Sequence, residues 1–258
     1  MTLAPEYHDP TKLGIEVAGC EQPLLIGLDI DGVLAPLVDH ADDARLLNGI
    51  ADVLNRLLAA DGVTVAAVSG RAVSSMRTFG FPAAVRLVGS HGMEEDGRPL
   101  EPLDDAERAR LDQLIELAGA AANAAGNGAW VEHKQASVAV HIREADKALG
   151  RAALAALAIA TQDVDGASVK PGSNVLELFT RHASKGSAVE RLRSESGARS
   201  VTFVGDDLTD EEAFAALSEA DISIKVGPAT TIAQFRLATP EHVLEFLSAL
   251  ADCLGEPV

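Results

Sequence analysis

The stretch Leu24-Leu-Ile-Gly-Leu-Asp29-Ile-Asp31-Gly32-Val-Leu34 decides the fold. An almost unbroken apolar run, long enough for one buried parallel strand, ends in two aspartates and a glycine. Open α/β sheets bind ligands beyond the carboxyl ends of their strands, so Asp29 and Asp31 lie where a ligand is expected. Gly32 allows the chain to turn sharply there. Taken alone, these residues also fit a strand that ends in a plain Asp-Gly turn.

Length and charge limit the classes of function. The chain has 258 residues, 47% of them hydrophobic, and a formal net charge of −18. This size accommodates one large or two modest domains with a substantial core. The negative charge repels nucleic-acid phosphates and anionic lipid surfaces, so neither nucleic acid nor membrane is predicted as a partner. A phosphorylated substrate would need a metal ion and a few positioned cations nearby.

The cysteines and the first residues predict the compartment. Cys20 and Cys253 lack metal-ligand spacing, and a chain of this size does not need a disulfide, so we expect free thiols. The segment 1–8 lacks the basic start and apolar centre of a signal peptide, and no run approaches membrane-spanning length. We therefore predict a cytoplasmic protein. A monomer is the working hypothesis for its oligomeric state, on which the sequence carries no signal.

Apolar strands alternate with amphipathic helices in the first and last parts of the chain. This order implies right-handed crossovers and a doubly wound parallel sheet, an α/β fold of Rossmann type. The segment before Pro23 is mixed and polar, and we expect a loosely docked arm with at most a short helix. Strands are predicted at 24–28, 63–68, 85–88, 200–204 and 220–226, and helices at 41–60 and 240–254.

The character of the sequence changes from about Pro99. Apolar and polar residues alternate at 130–134 and 137–143, which indicates an antiparallel pair with one solvated face. That alternation places Trp130, Glu132 and Lys134 on one face of the first strand. Residues 99–181 are therefore predicted to form an inserted α+β cap, and residues 1–98 with 182–258 the core. The cap also contains predicted helices at 104–125 and 144–161 and strands at 167–170 and 174–179.

Polar side chains follow four predicted parallel strands at one edge of the sheet, and a lysine opens a later helix. Carboxylates for a hard cation, a hydroxyl donor and fixed positive charges are the groups that phosphoryl transfer requires. Each member also has an ordinary structural explanation, such as a turn residue or a solvated lysine. The ordered set carries the hypothesis; its members are Asp29, Asp31, Ser69, Arg71, Ser90, His91, Lys185, Asp206 and Asp207.

Thr209, Asp210 and Glu212, which follow Asp207, can be explained as the start of a helix. Thr209 and Glu212 have the spacing of a capping box at the start of a helix. Asp210 lies in the same first turn, where its charge would complement the helix dipole. Alternatively, Asp210 would contact the metal or form an ion pair with Arg71.

The ordered set resembles the motifs of the haloacid dehalogenase-like phosphohydrolase superfamily. The resemblance implies that Asp29 attacks phosphorus to form an aspartyl-phosphate and that Asp31 serves as general acid and base. It also implies a catalytic hydroxyl at Ser69 and a catalytic lysine at Lys185. The implied cofactor is Mg²⁺, bound by Asp29, the Asp31 backbone carbonyl and Asp206, with Asp207 acting through water or steering a ligand.

Further segments are similar to those of the trehalose-6-phosphate phosphatase family. They cover nearly the whole chain from Leu25 to about Val226. The resemblance implies a cap that closes over trehalose 6-phosphate. By this resemblance Glu132, Lys134 and Glu177 would bind the sugar hydroxyls. Arg71 and His91 are further candidate substrate contacts. The matching segments are Val68–Arg71, Gly89–Gly92, Glu132–Arg143, Lys170–Leu178, Ser184–Ala188 and Gly205–Phe214.

Two alternatives stay open at this point. A phosphatase for another sugar phosphate, such as sucrose phosphate or mannosyl-phosphoglycerate, would share the core motifs and differ in the cap. A catalytically silent sugar-phosphate-binding module would share the fold but would not need Asp29 and Asp31 side by side. The cap motifs favour trehalose 6-phosphate over the first alternative, and the intact aspartate pair argues against the second.

Overall fold

The computed structural model describes residues 6–38, 40–95, 98–99, 102–181 and 184–255. The chain divides into two compact units, one of Met1–Gly97 with Ser184–Val258 and one of Arg98–Ala183. The predicted boundaries were 98/99 and 181/182, and residue 182 lies outside the described residues. None of the described helices is both long and apolar enough to cross a membrane.

The structural elements follow one another in a strand-helix order that is interrupted by an antiparallel section. Short 3₁₀ turns also occupy Ala41–Asp43, Arg77–Phe79 and Ser90–Gly92. In chain order the helices and strands are α1 (Pro10–Ala18), β1 (Leu24–Leu28), α2 (Ile50–Leu58), β2 (Val63–Val68), α3 (Val73–Met76), β3 (Arg86–Gly89), β4 (Glu94–Glu95), β5 (Arg98–Pro99), α4 (Asp105–Ala125), β6 (Trp130–His133), β7 (Ser137–His141), α5 (Lys147–Thr161), β8 (Ser168–Gly172), β9 (Val175–Phe179), α6 (Lys185–Ser196), β10 (Ser200–Gly205), α7 (Asp210–Ala216), β11 (Ile222–Val226), β12 (Phe235–Leu237) and α8 (Pro240–Gly255).

The first unit is built on a sheet with the strand order β12-β11-β10-β1-β2-β3-β4. All neighbours from β12 to β3 are parallel, and β4 runs antiparallel to β3. In register, Leu28 lies beside Val204 of β10 and Ala67 of β2. The residues that follow these strands therefore reach the same edge of the sheet. The predicted doubly wound α/β fold is confirmed.

Strand β1 is buried on both faces of the sheet, as its apolar sequence predicts. All five residues of the strand are buried. Leu24, Ile26 and Leu28 belong to the apolar cluster that includes residues of α1, α2 and α8, whereas Leu25 belongs to the cluster with residues of α6 and α7. Alternate side chains thus contact helices on opposite faces, which fixes β1 at the centre of the unit.

The predicted helix at 41–60 is wrong in its first half, because α2 begins only at Ile50. Gly49 has a φ of 96°, a left-handed conformation that starts the helix there and interrupts any longer one. Before it, the Leu47 amide donates to the Leu34 carbonyl at 2.9 Å. This bond ties the 44–48 segment to the loop that follows β1.

Before Pro23 the expected short helix is present as α1, but the expectation that this arm is loosely docked is wrong over its described part. Helix α1 buries Leu13 and Val17 in the main core. It approaches α8 so closely that a Cβ on Gly14 would lie 2.6 Å from the Phe246 carbonyl oxygen. A polar segment before a strand gave no sign of this packing, because only a narrow stripe of the helix is apolar.

The second unit is an antiparallel sheet with helices on one face, so the predicted inserted α+β unit is confirmed. The sheet order is β6-β7-β9-β8, and all neighbours are antiparallel. Helix α4 begins with a capping box formed by Asp104 and Glu107. Its apolar face packs with α5 against Val138, Val140 and residues around them. The other face of the sheet carries the polar side chains.

Candidate active site

A buried lysine bridges two buried aspartates at the carboxyl edge of the parallel sheet. Lys185 is 1% exposed, and its ammonium donates to Asp29 Oδ2 and to Asp210 Oδ1, each at 2.7 Å. Asp29 follows β1, and Lys185 and Asp210 are the first residues of α6 and α7. Three elements that are far apart in sequence thus position one charge cluster, in which two carboxylates share one ammonium.

Asp206 joins this cluster and increases its negative charge. One carboxylate oxygen each of Asp29, Asp206 and Asp210 can be chosen so that all three lie within 4.8 Å of one another. Gly32, at a φ of 74°, allows Asp206 to come this near, because a Cβ there would lie 2.1 Å from Asp206 Oδ2. Metal ions in proteins are commonly bound by His, Cys, Asp and Glu side chains. Among the described residues, these three aspartates are the group of such side chains that lie close enough together to hold one ion.

The charge balance of the cluster fits a divalent cation. Burial raises the pKa of Asp29 well above its usual range, and neighbouring carboxylates add to the shift while the Lys185 charge opposes it. Burial, Asp210 and Asp207 raise the pKa of Asp206 to about 7. Burial disfavours the charge of Lys185, but Asp210 and Asp29 outweigh it and raise the net pKa. Among the side chains that the structure describes, the three carboxylates have only one lysine ammonium between them, and carboxylate oxygens are the hard ligands that a divalent cation such as Mg²⁺ prefers.

Asp210 also orders the backbone of the loop before it. Its Oδ2 accepts hydrogen bonds from the Asp206 amide at 2.8 Å and from the Asp207 amide at 3.0 Å. The carboxylate is buried. Asp210 therefore does more than complement the helix dipole, and its ion pair is with Lys185 rather than with Arg71.

Asp207, a predicted metal ligand, faces a different partner. Its Oδ1 accepts from the Thr209 amide at 2.6 Å and from the Thr209 hydroxyl at 2.7 Å. Burial acts to raise the pKa of Asp207, but the Lys185 charge and the Thr209 hydrogen bonds lower it overall. Thr209 makes no side-chain cap to helix α7. The predicted capping box is therefore wrong, because Thr209 donates to Asp207 instead.

Asp31 is held in a bidentate ion pair. Arg71 donates from Nε to Asp31 Oδ2 at 2.6 Å and from Nη2 to Asp31 Oδ1 at 2.7 Å. The guanidinium also lies over the Phe79 ring, 5.0 Å from its centroid. Ser69, buried at the end of β2, accepts a hydrogen bond from the Arg71 amide at 3.3 Å. The loops after β1 and β2 thus meet through these side chains.

The loop after β3 places His91 beside the loop after β2. Ser90 and His91 both have left-handed backbone, with φ values of 48° and 55°. A Cβ on Gly70 would lie 2.7 Å from His91 Nε2. The buried Glu94 holds this arrangement, because it accepts from the Ser90 hydroxyl at 2.9 Å and from the Val73 amide at 3.1 Å. Sequence reasoning missed Glu94, which carries no distinctive spacing.

Lys225 is a second buried lysine that sequence reasoning missed. It is 1% exposed and donates to the Asp206 carbonyl at 2.6 Å and the Asp207 carbonyl at 3.1 Å. Its ammonium also lies 3.6 Å from Glu211 Oε1. The available signal was a single lysine in the otherwise apolar end of β11. Lys225 positions the backbone of the acidic loop, as Asp210 does from its other side.

The polar face of the second unit brings together the three predicted sugar-binding residues. Lys134 donates to Glu177 Oε1 at 2.9 Å, and Ser137 donates to the same oxygen at 2.7 Å. Glu132 Oε2 lies 2.9 Å from His141 Nε2. The hydrogen bond from His141 lowers the pKa of Glu132 against the effect of burial, and the Lys134 charge adds to the shift. Each carboxylate here has its own cationic or hydrogen-bonding partner.

The fold and the aspartate, lysine and arginine cluster define the haloacid dehalogenase-like class. A family model described as trehalose-phosphatase matches residues 27–241. The chain belongs to the trehalose-phosphatase family, which confirms the resemblance predicted from its motifs.

Individual relatives agree with this placement. Trehalose-phosphate phosphatase of Mycobacterium avium is 34% identical over 275 residues, covering 98% of this chain and 68% of that protein. An uncharacterized glycosyl hydrolase of Mycobacterium tuberculosis is 37% identical over 250 residues, covering 90% of this chain. The match spans only 18% of that much longer protein. The Candida albicans trehalose-6-phosphate phosphatase C-terminal domain shares the fold, with a TM-score of 0.79, 21% identity and coverage of 97% and 98% of the two chains.

Proposed function

We propose that this chain is a phosphatase that hydrolyses trehalose 6-phosphate to trehalose and inorganic phosphate, with Mg²⁺ as its metal ion. The observation that carries the proposal is the buried Asp29, bonded to Lys185 at 2.7 Å and grouped with Asp206 and Asp210. Family membership and the name of the Mycobacterium avium relative support the substrate. The cytoplasmic location and the monomeric state stay predictions.

Asp29 is the proposed nucleophile. Its Oδ1 accepts a hydrogen bond from the Ile30 amide at 2.7 Å, and its Oδ2 faces Lys185, so both oxygens are held in place. Attack by a carboxylate oxygen on phosphorus forms the aspartyl-phosphate as the bond from phosphorus to the sugar oxygen breaks. The Lys185 charge opposes the rise in the pKa of Asp29 that burial causes, and it offsets negative charge on the transferring phosphoryl group.

Asp31 is the proposed general acid and base. It protonates the departing sugar oxygen, then removes a proton from the water that attacks the aspartyl-phosphate and releases phosphate. Both Asp31 oxygens accept from the Arg71 guanidinium, whereas a general acid must present a proton on one of its oxygens to the departing sugar oxygen. At least one of these two bonds must therefore open, and the substrate phosphate is a competing partner for the Arg71 guanidinium.

Asp29, Asp206 and Asp210 are the side chains proposed to hold the ion. All donate oxygen, which Mg²⁺ prefers over nitrogen and sulfur. When bound, the ion neutralises charge on the phosphoryl oxygens and fixes their orientation. Ligation through the Asp31 backbone carbonyl and a role of Asp207 stay predictions.

The remaining predicted residues divide between phosphate and sugar. Ser69 and His91 lie at the carboxyl edge of the parallel sheet, where a hydroxyl and an imidazole can donate to phosphate oxygens. The proposed sugar contacts are Glu132, Lys134 and Glu177. Their carboxylate and ammonium groups suit a ligand whose recognition depends on hydroxyl hydrogen bonds.

Phosphate release from a panel of substrates tests this function. The panel is trehalose 6-phosphate, sucrose 6-phosphate, glucose 6-phosphate and mannosyl-3-phosphoglycerate, each with Mg²⁺ or with EDTA. The variants are wild type, Asp29→Asn and, as a matched control, Asp105→Asn, whose carboxylate is exposed on helix α4.

We expect Mg²⁺-dependent release from trehalose 6-phosphate that Asp29→Asn lowers at least about 10⁴-fold and Asp105→Asn leaves unchanged. Release confined to another panel member would contradict the proposed substrate and keep the chemistry. The absence of release from every member would contradict the enzyme and favour a binding module.

A further inference from the structure

An exposed aromatic ring lies in a fixed position on the polar face of the second unit. Trp130 is the first residue of the edge strand β6 and is 52% exposed. Its indole stacks face to face on the His141 imidazole, with ring centroids 3.9 Å apart and planes 5° from parallel. In the antiparallel register the two residues lie directly opposite each other. The stack covers one face of the indole, and half of the residue remains in contact with solvent.

The ring that supports the indole is itself held in place. His141 Nε2 lies 2.9 Å from Glu132 Oε2, so a hydrogen bond fixes the imidazole plane. The turn before β6 is also tightly packed, because a Cβ on Gly128 would lie 2.2 Å from the Glu144 carbonyl oxygen. Gly128 has a φ of 88°, so this close turn favours glycine. Trp130 therefore stacks on a ring that is itself hydrogen-bonded, next to a tightly packed turn.

Trp130 does not belong to the core of its unit. The next residue, Val131, packs against the apolar cluster on the helix side of the sheet. Because side chains alternate along a strand, Trp130 projects from the opposite face, with Glu132. That face carries ionised and hydrogen-bonding groups from three neighbouring strands. Folding covers one face of the indole by the His141 stack and leaves about half of the residue exposed, so the open face is available to a ligand.

A planar aromatic face beside hydrogen-bonding carboxylates has the chemistry of a sugar-binding surface. A pyranose ring presents C–H groups on its faces and hydroxyls around its rim. Its C–H groups contact an aromatic ring favourably, and its hydroxyls donate to carboxylates. We infer that the Trp130 indole, supported by His141, is the platform on which one glucose ring of trehalose 6-phosphate stacks. This inference rests on the proposed function and adds a specificity-determining residue to it.

Steady-state kinetics tests the platform, because loss of a stacking contact should change KM and leave kcat unchanged. Trp130→Ala should raise KM for trehalose 6-phosphate about tenfold, equivalent to about 1.4 kcal/mol. The kcat should be unchanged, because the stack is equally strong before and during the reaction. Trp130→Phe should recover most of the loss. Inhibition by inorganic phosphate, which has no sugar ring, should be unaffected.

A matched control separates the platform from a general effect of losing apolar surface. Leu149, 56% exposed on helix α5 of the same unit, is replaced by Ala. Leu149→Ala should leave both KM and kcat unchanged. An equal rise in KM for Leu149→Ala and Trp130→Ala would overturn the inference.

Fluorescence gives a readout that does not depend on turnover, because Trp130 is the one tryptophan in the sequence. In the Asp29→Asn variant, saturating trehalose 6-phosphate should lower acrylamide quenching of the indole at least about twofold, because a stacked sugar covers the exposed face. Inorganic phosphate alone should leave the quenching unchanged.

The outcomes distinguish the inference from the function on which it rests. Trehalose 6-phosphate hydrolysis by the wild type, with unchanged KM in Trp130→Ala and unchanged quenching, would overturn the platform alone. A wild type that does not hydrolyse trehalose 6-phosphate would overturn both. Hydrolysis with a raised KM and protected fluorescence supports both.

Discussion

The two polar regions of the molecule handle charge in opposite ways. At the edge of the parallel sheet, Asp29 and Asp210 share the ammonium of Lys185, and Asp206 adds a further carboxylate. On the sheet of the second unit, Lys134 pairs with Glu177. There, Glu132 has its own partner in His141. The first region has more carboxylates than cations, whereas each carboxylate of the second has its own ion-pair or hydrogen-bond partner.

This difference corresponds to two kinds of task. An uncompensated carboxylate cluster is costly to bury, and it recovers that cost when a cation and a phosphoryl group bind. Carboxylates that each have a separate partner carry no such excess, and they can bind the uncharged sugar hydroxyls by exchanging one hydrogen bond for another. The chemistry is therefore expected at the first region and the substrate preference at the second.

Removing the lysine from each region should give the largest contrast in stability. At pH 8 in EDTA, Lys185→Met should lower the free energy of unfolding by about 3–5 kcal/mol, because two buried carboxylates lose their common partner. Lys134→Met should cost about 1–2 kcal/mol, because Glu177 keeps its hydrogen bond from Ser137. Denaturant unfolding of both variants measures the difference. Equal losses would break the contrast between the two regions.

The pH dependence of the metal-free protein should reveal the excess charge. The pKa of Asp206 is raised from 3.8 to about 7, so between these values the native state binds more protons than the unfolded state. The free energy of unfolding should therefore fall as pH rises from about 4 to about 7, opposite to the usual aspartate. Thermal unfolding in EDTA across this range is the measurement.

A cation should reverse this trend, because it binds the ionised carboxylates. Mg²⁺ affinity should rise with pH up to about 7, and binding near pH 6 should release at least about one proton, the share of Asp206. Calorimetric titration in two buffers of different ionisation enthalpy measures that release. Binding without proton release would contradict the assignment of Asp206 to the ion.

Lys225→Met should give a smaller effect confined to the first region. It leaves the carbonyls of Asp206 and Asp207 without this donor, at a cost of about 1–3 kcal/mol in stability. Since the Lys225 charge lowers the pKa of Asp206, its loss should also move the pH midpoint of Mg²⁺ binding upward. Lys225→Arg, which keeps the charge, serves as the control. A midpoint that moves equally in both variants would argue that packing, not charge, is responsible.

The sequence predicts best where one local pattern decides the structure. The apolar run before Asp29 specifies a strand buried on both faces, and the alternation around Glu132 specifies a one-sided antiparallel pair. Residues 41–60 show the limit, since the apolar spacing at Leu46 and Leu47 continues that of the helix. The helix does not extend to these residues because Gly49 has a left-handed backbone conformation and the Leu47 amide donates to the Leu34 carbonyl. Both features are set by tertiary structure.

The site could be predicted in its members but not in its pairings. The spacing of Asp29, Lys185 and Asp206 was sufficient to gather them at one edge. Asp210 looked like a helix-start residue, because its partner Lys185 is a neighbour only in the fold. Lys225 was hidden for the same reason, because its acceptors are backbone carbonyls, which no side-chain pattern marks.

The most direct test of the central claim is the capture of a phosphoryl group on Asp29. The wild type is mixed with trehalose 6-phosphate and Mg²⁺, quenched in acid during the first turnover, digested and analysed by mass spectrometry. The account predicts a phosphorylated peptide with the modification on Asp29, absent from Asp29→Asn and from the EDTA sample. Rapid hydrolysis of trehalose 6-phosphate by Asp29→Asn, with no modification on Asp29 of the wild type, would contradict it.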